Sequence, residues 1–437
     1  MFNKIRKLSR YNNIKTKSKT KTKSKLKTTT NKTKTKSQHK LIGGRIVGKG
    51  SYGCVVTPSI PCKQTNKNIL QNESNDKTVS KIILAPNGNE SSEELEISNK
   101  LKQIDPKQQF FITFDDACYI NKIPQERSNT VSVRYKYNNS NNNYEILDKT
   151  KKKDRDYCKV DLRYKPINLV MSHGGNDLFD IIDSSKESKE INIIRKQLMM
   201  YFKNLFKNLL IGILKMHKAR IVNRDIKKEN IMIKYDEKTN KLLTRFIDFG
   251  LSSDLTPEFC SNIRNIILNG TEGLISPEQI ISYYILKHSR NNNYKVYDSY
   301  TDKKILEDIN HDIKYIREFL LSINETKVAS TLNETTKLLY TRIKNEFNTN
   351  TILPIYFGTT QNKYDGYLQK GDVFAMGLTI YEFLEFFTNQ FRLNEYDRLL
   401  NVRKNHVLYD LLLHMIELDP SKRYNIVRCL KHPYFTN

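Results

Sequence analysis

The period of the apolar residues changes once along this chain, and that change limits the folds open to it. From Ile42 onward, short β-branched runs bounded by Gly, Asn and Pro come first; beyond Asp177, longer stretches repeat their apolar residues at the helical period of 3.6. A strand-rich part followed by a helix-rich part predicts an α+β fold. The clearest helix is predicted from about Ile191 to Lys218, where Leu198, Phe202, Phe206, Leu209, Ile213 and Met216 recur on one face. A shorter one is predicted over Ser91 to Ile104, and residues 304–348 have helical character without any motif. Polar, Asn-rich stretches near 59–77, 137–157 and 286–303 are predicted loops or inserts.

The first 41 residues obey neither period. From Lys15 to Lys36, Lys alternates with Thr and Ser, interrupted by a single apolar residue, Leu26, and such a segment cannot offset the entropy of ordering itself. Residues 1–41 are therefore expected to form a disordered basic tail. Residues 1–40 hold 15 Lys and Arg and no acid, so of the net charge of +27 only +12 belongs to the remainder. The tail is a solvated extension, a localisation signal, or a contact for nucleic acid or another acidic surface. The six cysteines show no paired spacing and are expected to be free thiols in a reducing compartment. No run approaches the roughly 18 apolar residues of a membrane span. The expected setting is intracellular, cytoplasmic or nuclear. The Lys, Asn and Ile content suggests an AT-rich genome, such as that of a large DNA virus, in which case a virion is a further setting.

Two features before residue 100 suggest chemistry. Gly48-Lys49-Gly50-Ser51-Tyr52-Gly53-Cys54-Val55-Val56 places a glycine-rich turn between strand-like runs. Glycines there let backbone amides approach phosphate oxygens, although a plain hairpin with turn glycines has the same pattern. Lys81 lies among apolar neighbours in Thr78–Ile83, where an ammonium is costly unless anions meet it. Glu94 sits beside the apolar stripe of Ile97 and Leu101; taken alone, Lys81 and Glu94 could equally edge a strand and a helix.

The segment from Met216 to Ile233 is more specific. Its Asn223-Arg224-Asp225-Ile226-Lys227-Lys228-Glu229-Asn230 resembles the catalytic loop of eukaryotic-type protein kinases, with Asn223 in place of the usual His. Asp248-Phe249-Gly250 resembles the family's magnesium-binding motif, and Gly270-Thr271 with Ser276-Pro277-Glu278 resembles the end of its activation segment. Asp372-Val373-Phe374-Ala375-Met376-Gly377 is similar to the F-helix signature. Leu418-Asp419-Pro420 through Arg423, followed by His432-Pro433, resembles the domain's end. The motifs follow the family's order from residue 42 to 437.

This resemblance implies a bilobal kinase domain over 42–437, with a β-rich N-lobe at 42–171 and a helical C-lobe at 172–437 carrying an insert at about 282–365. It implies a serine/threonine protein kinase using ATP and Mg2+ on protein substrates. Asp225 would accept the substrate hydroxyl's proton and Lys227 would meet the transferred phosphate. Asp248 and Asn230 would hold the metal, and Lys81, paired with Glu94, would reach the phosphates beneath the loop Gly48, Lys49, Gly50, Ser51, Tyr52, Gly53 and the following Cys54, Val55 and Val56. Thr271 would contact Asp225 and Lys227, as in the serine/threonine group. Glu278, Arg423 and Asp372 would be structural. The strand-to-hinge passage is expected at Leu169–Leu178, with Met171 as gate residue and Asn176 or Asp177 either binding ribose or capping a helix. Arg224 would receive a regulatory phosphate on Ser252, Ser253, Thr256 or Ser261. A scaffold that keeps the fold without efficient phosphotransfer is the alternative, since Asn223 and the inserts depart from the family pattern. A small-molecule kinase is disfavoured by the Gly-Thr and Pro-Glu segment.

Overall fold

The computed structural model describes residues 45–436 apart from 51–52, 58, 61, 63–77, 84–89, 120–132, 139–142, 149–166, 183–187, 237–238, 240, 289–298, 323–325 and 392–404. The basic tail, Ser51, Tyr52 and Cys158 lie outside them.

The first part is a sheet with one helix. Strands β1 (Arg45–Gly50), β2 (Gly53–Thr57) and β3 (Thr78–Ile83) are followed by helix α1 (Glu90–Ile104), then β4 (Phe114–Tyr119), β5 (Val133–Asn138), β6 (Asn143–Asp148) and β7 (Ile167–Ser172). Five of these strands form an antiparallel sheet in the order β1-β2-β3-β7-β4. Ile83, Phe114, Ile167 and Leu169 make its small core.

The second part is helical. After β8 (Asn176–Asp177) and α2 (Leu178–Ile182) comes the long α3 (Lys189–Lys218). Ser188 caps it by accepting a hydrogen bond from the Ile191 amide at 3.0 Å, and all six of its periodic apolar residues are buried. Short strands β9 (Ile221–Val222), β10 (Ile231–Asp236), β11 (Lys241–Phe246) and β12 (Ser253–Asp254) lie between α3 and helix α4 (Pro257–Ser261). Then follow α5 (Pro277–His288), α6 (Ser299–Ser322), α7 (Thr326–Asn348), α8 (Ile352–Phe357), α9 (Tyr367–Phe391), α10 (His406–Met415), α11 (Ile426–Leu430) and α12 (Pro433–Thr436). Helix α9 is apolar almost all round, and Val373, Phe374, Met376, Leu378, Tyr381 and Leu384 bury it in the main core. The α+β arrangement is the one the change of period predicts. No helix among the described residues is long and apolar enough to cross a membrane.

Several expectations need correction. The stretch 137–157 is not simply a loop: it holds the end of β5 and all of β6, which pair in register from Val133 opposite Asp148 to Asn138 opposite Asn143. Val133, Tyr135, Tyr137, Tyr144 and Ile146 are residue types that favour strands, and the asparagines between them hide the alternation in the sequence. The stretch 286–303 begins in α5 and ends in α6, and Ser282 to His288 continue α5 rather than opening an insert. The helical 304–348 is two helices. The cysteines are not all free. Cys62 and Cys118 form a disulfide with their Cα atoms 5.7 Å apart, and Cys54 is also disulfide-bonded. The side chain of Asn168, on β7 opposite Cys118, lies within 3.9 Å of both Cys62 and Cys118 sulfurs. The sheet thus brings together two cysteines 56 residues apart, a pairing invisible in their spacing. Cys260 and Cys429 are free.

Candidate active site

Strand β3 places Lys81 opposite Val55 of β2 and Leu169 of β7, next to the buried Ile82. Helix α1 is held against the main core by Ile97 and Leu101, which leaves Glu94, one turn earlier, facing β3. Lys81 Nζ then donates to Glu94 Oε1 at 2.5 Å and to Asp248 Oδ1 at 2.7 Å. Burial opposes the ammonium, but the two carboxylates outweigh it and raise its pKa above the ordinary lysine value. Asp248 shows the converse: burial pushes its carboxyl up, yet Lys81 more than offsets this and holds it below the usual range. Asp248 is still 44% exposed, so its carboxylate is open to a ligand from outside. Gly250 leaves room for this meeting. A Cβ there would lie 3.3 Å from Glu94 Oε2 and 3.4 Å from Asp248 Oδ1.

A second centre is built on Asp225. The loop carrying it hangs from Asp372 of α9, which is buried and accepts from the Asn223 amide at 2.9 Å, the Arg224 amide at 2.8 Å and the His217 ring at 3.0 Å. Arg224 adopts φ of 67°, a left-handed conformation that these two amide bonds hold in place. Asp225 Oδ2 accepts from Lys227 Nζ at 2.7 Å and Asn230 Nδ2 at 2.9 Å, while Oδ1 accepts from the Thr271 hydroxyl at 2.6 Å. Lys227 also donates to Thr271 Oγ1 at 3.1 Å. The Asn230 amide nitrogen is committed to Asp225, through its side chain and its carbonyl, which leaves the Asn230 oxygen as that side chain's acceptor. Asn223 turns its own side-chain oxygen to the Asp225 amide at 3.0 Å, and its carbonyl accepts from Ser252 Oγ at 3.2 Å.

Arg224 is already occupied. Its guanidinium donates to Ser253 Oγ at 2.9 Å and to the Ile267 carbonyl at 2.7 Å, and burial lowers its pKa. Ser252 and Ser253 are buried, which removes them as accessible sites for phosphate; Thr256 caps α4 through the Phe259 amide, and Ser261 is exposed. A further tie was not legible beforehand: Lys100 of α1 pairs with Asp254 of β12.

The glycine-rich turn is a β1–β2 hairpin with Gly48 opposite Val55, Lys49 opposite Cys54 and Gly50 opposite Gly53; Cys54 and Val56 are buried. At the passage out of β7, Met171 packs against the sheet's core and Gly174 fits closely against Ile112 and Met232. Asp177 accepts from the Asp180 amide at 2.6 Å and so caps α2, while Asn176 pairs with Ile233 of β10. Glu278 and Arg423 meet in the core between α5 and the α10–α11 connection.

Residues 155–302 match the protein kinase domain family. The chain is similar to calcium-dependent protein kinase 4 of Plasmodium falciparum (isolate 3D7), 34% identical over 110 residues, which cover 25% of this chain and 18% of that one. The same kinase of Plasmodium berghei (strain Anka) is 33% identical over 112 residues, 26% of this chain and 19% of that one. The serine/threonine-protein kinase/endoribonuclease ire-1 of Caenorhabditis elegans is 31% identical over 122 residues, 28% of this chain and 12% of that one. The chain spans less than a fifth of the length of these curated relatives.

Proposed function

Because this chain carries a eukaryotic-type protein kinase domain, we propose that it is an active serine/threonine protein kinase that transfers the γ-phosphoryl group of ATP to protein hydroxyls. The observation that carries this reading is the Asp225 carboxylate, fixed by Lys227, Asn230 and Thr271. Each carboxylate oxygen has two acceptor positions, so Oδ1 can receive a substrate hydroxyl beside its bond to Thr271. The acceptor oxygen forms its bond to the γ-phosphorus as the bond from that phosphorus to the ADP oxygen breaks, and Asp225 takes the hydroxyl proton. Lys227, beside Asp225, meets the charge on the transferred group, and Lys81, kept cationic by two carboxylates, meets the phosphates of ATP.

The half-exposed Asp248 carboxylate and the Asn230 amide oxygen are hard oxygen donors of the kind Mg2+ takes. They would hold the ion, which neutralises phosphate charge when bound. The reading assigns the kinase domain to 42–437 and leaves the tail as a candidate contact for acidic surfaces. Asn223 accepts from the Asp225 amide, which supports the active-kinase reading despite its departure from the family pattern.

The test is transfer from γ-labelled ATP to a degenerate peptide library whose acceptors are Ser, Thr or Tyr. Label on Ser and Thr peptides is expected. Label confined to Tyr would reject the serine/threonine assignment, and no label on any of them would leave a scaffold.

A further inference from the structure

Helix α6 of the insert is anchored hard against the core. Ile305, Ile309, Ile313, Ile316 and Leu320 recur at intervals of three or four residues and are all buried. Two polar ties add direction: the Tyr284 hydroxyl of α5 donates to Asp312 Oδ2 at 2.8 Å, and His288 Nε2 meets Asp308 Oδ2 at 2.7 Å. Tyr315 precedes the buried Ile316 by one position, about 100° round the helix, and so lies on the flank of this anchored face.

That flank meets the segment leading away from the reaction centre. Thr271 touches Asp225, and Glu272 and Gly273 come next. Gly273 has φ of 85°, a conformation that favours glycine, and the atom nearest the space above its Cα is Tyr315 Cβ, 3.9 Å from where a Cβ would stand. Glu272 lies near enough to the Tyr315 phenol for its carboxylate charge to raise the phenol's pKa. Both residues are still open to solvent, Tyr315 at 42%. The same segment lines a small pocket next to Asp225 through Thr271, Leu274 and Ile275, with Gln279 and Ala375.

We propose that Tyr315 is a specificity-determining residue of the acceptor groove: the insert adds helix α6 as an outer wall, and the Tyr315 ring, packed beside Gly273, contacts a residue of the substrate polypeptide flanking the acceptor hydroxyl. This rests on the protein kinase reading above. The segment 271–275 must present Thr271 to Asp225 on one side while a polypeptide passes over it. Gly273 is its point of backbone freedom, and the anchored helix packs beside it. An insert anchored elsewhere on the helical part could not reach the acceptor; this one touches Gly273, two residues from Thr271.

The experiment compares wild type, Tyr315→Ala, Tyr315→Phe and Leu321→Ala, the last an exposed change on the same helix. Each is assayed on a degenerate serine peptide library, together with KM for ATP and melting temperature. Removing the ring from the acceptor groove is expected to raise the acceptor KM about tenfold. Tyr315→Ala should also flatten the residue preference at one position flanking the serine, with KM for ATP and melting temperature unchanged. Tyr315→Phe, which keeps the ring, should fall between it and wild type, and Leu321→Ala should match wild type. An unchanged preference profile and acceptor KM in Tyr315→Ala would overturn the proposal, as would a loss of ATP affinity and melting temperature in step with the acceptor effect, which would make the residue packing alone. A wild type that labels no peptide contradicts the kinase reading itself, and this inference with it.

Discussion

Glu278 and Arg423 face each other with both side chains fully buried, Nη1 to Oε1 at 2.5 Å and Nη2 to Oε2 at 2.9 Å. The desolvation this entails is offset by a complete set of partners. Arg423 Nε donates to the Glu417 carbonyl at 2.7 Å, its Nη atoms also reach the Lys370 and Leu418 carbonyls, and its guanidinium stacks 4.8 Å from the Phe374 ring centroid. Glu278 Oε1 also accepts from Ser276 Oγ at 2.7 Å. The pair ties the start of α5, and with it the segment presenting Thr271, to the last helices.

Removing one partner leaves a buried charge unpaired, at a cost of about 3–5 kcal/mol. Arg423→Ala is therefore expected to lower the melting temperature and peptide phosphorylation together. A variant that melts like wild type would mean the pair carries no net stability.

Dephosphorylation is expected to leave turnover unchanged. Arg224, the residue placed to receive a phosphate, already spends its donors on Ser253 and the Ile267 carbonyl. Phosphatase-treated enzyme and a Thr256→Ala/Ser261→Ala variant should both phosphorylate peptide at the untreated rate. A fall of tenfold or more in either would show that phosphate organises the segment.

What the sequence made legible follows from how local each constraint is. The loop from Asn223 to Asn230 and the turn at Asp248–Gly250 hold their functional groups within a few residues, so the chemistry shows in the order of residue types. Helix α3 was legible because six apolar residues repeat over 19 positions without interruption. The rest depended on contacts across the chain. Nothing near Tyr315 signals Gly273, nor Cys62 Cys118, nor Lys100 Asp254, because each contact is made by the packing of separate elements. Strands β5 and β6 are hidden for a different reason: the asparagines between them interrupt the alternating Tyr, Val and Ile.

The lowered pKa of Asp248 gives stability a defined pH dependence. A carboxyl whose folded pKa lies below its unfolded value of about 3.9 binds fewer protons when folded, so its contribution is present above that value and lost as pH falls through the folded pKa. The difference in unfolding free energy between wild type and Asp248→Asn, measured with urea from pH 3 to pH 7, should grow in favour of wild type as pH rises through about 4. Because Asp248 is half-exposed, the effect will be screened by salt. A difference independent of pH would show that Lys81 does not hold the carboxylate ionised.

Asp248 and Asp225 should fail differently when replaced. Asp248→Asn loses a charged oxygen from the proposed metal site, whereas Asp225→Asn leaves that site and Lys81 intact. A ligand at 100 times its dissociation constant adds about 2.7 kcal/mol to folding stability. Wild type and Asp225→Asn should both show this Mg-ATP shift in melting, and Asp248→Asn should largely lose it. Equal shifts in all three would remove Asp248 from the metal site.

The initial rate of γ-phosphate transfer from labelled ATP to a serine peptide at saturating Mg-ATP tests whether Asp225 takes the proton of the acceptor hydroxyl during phosphoryl transfer. A positioned general base contributes about 10²–10⁴-fold, so Asp225→Asn should slow transfer by that factor while its Mg-ATP melting shift persists. Transfer by Asp225→Asn at the wild-type rate would contradict the account.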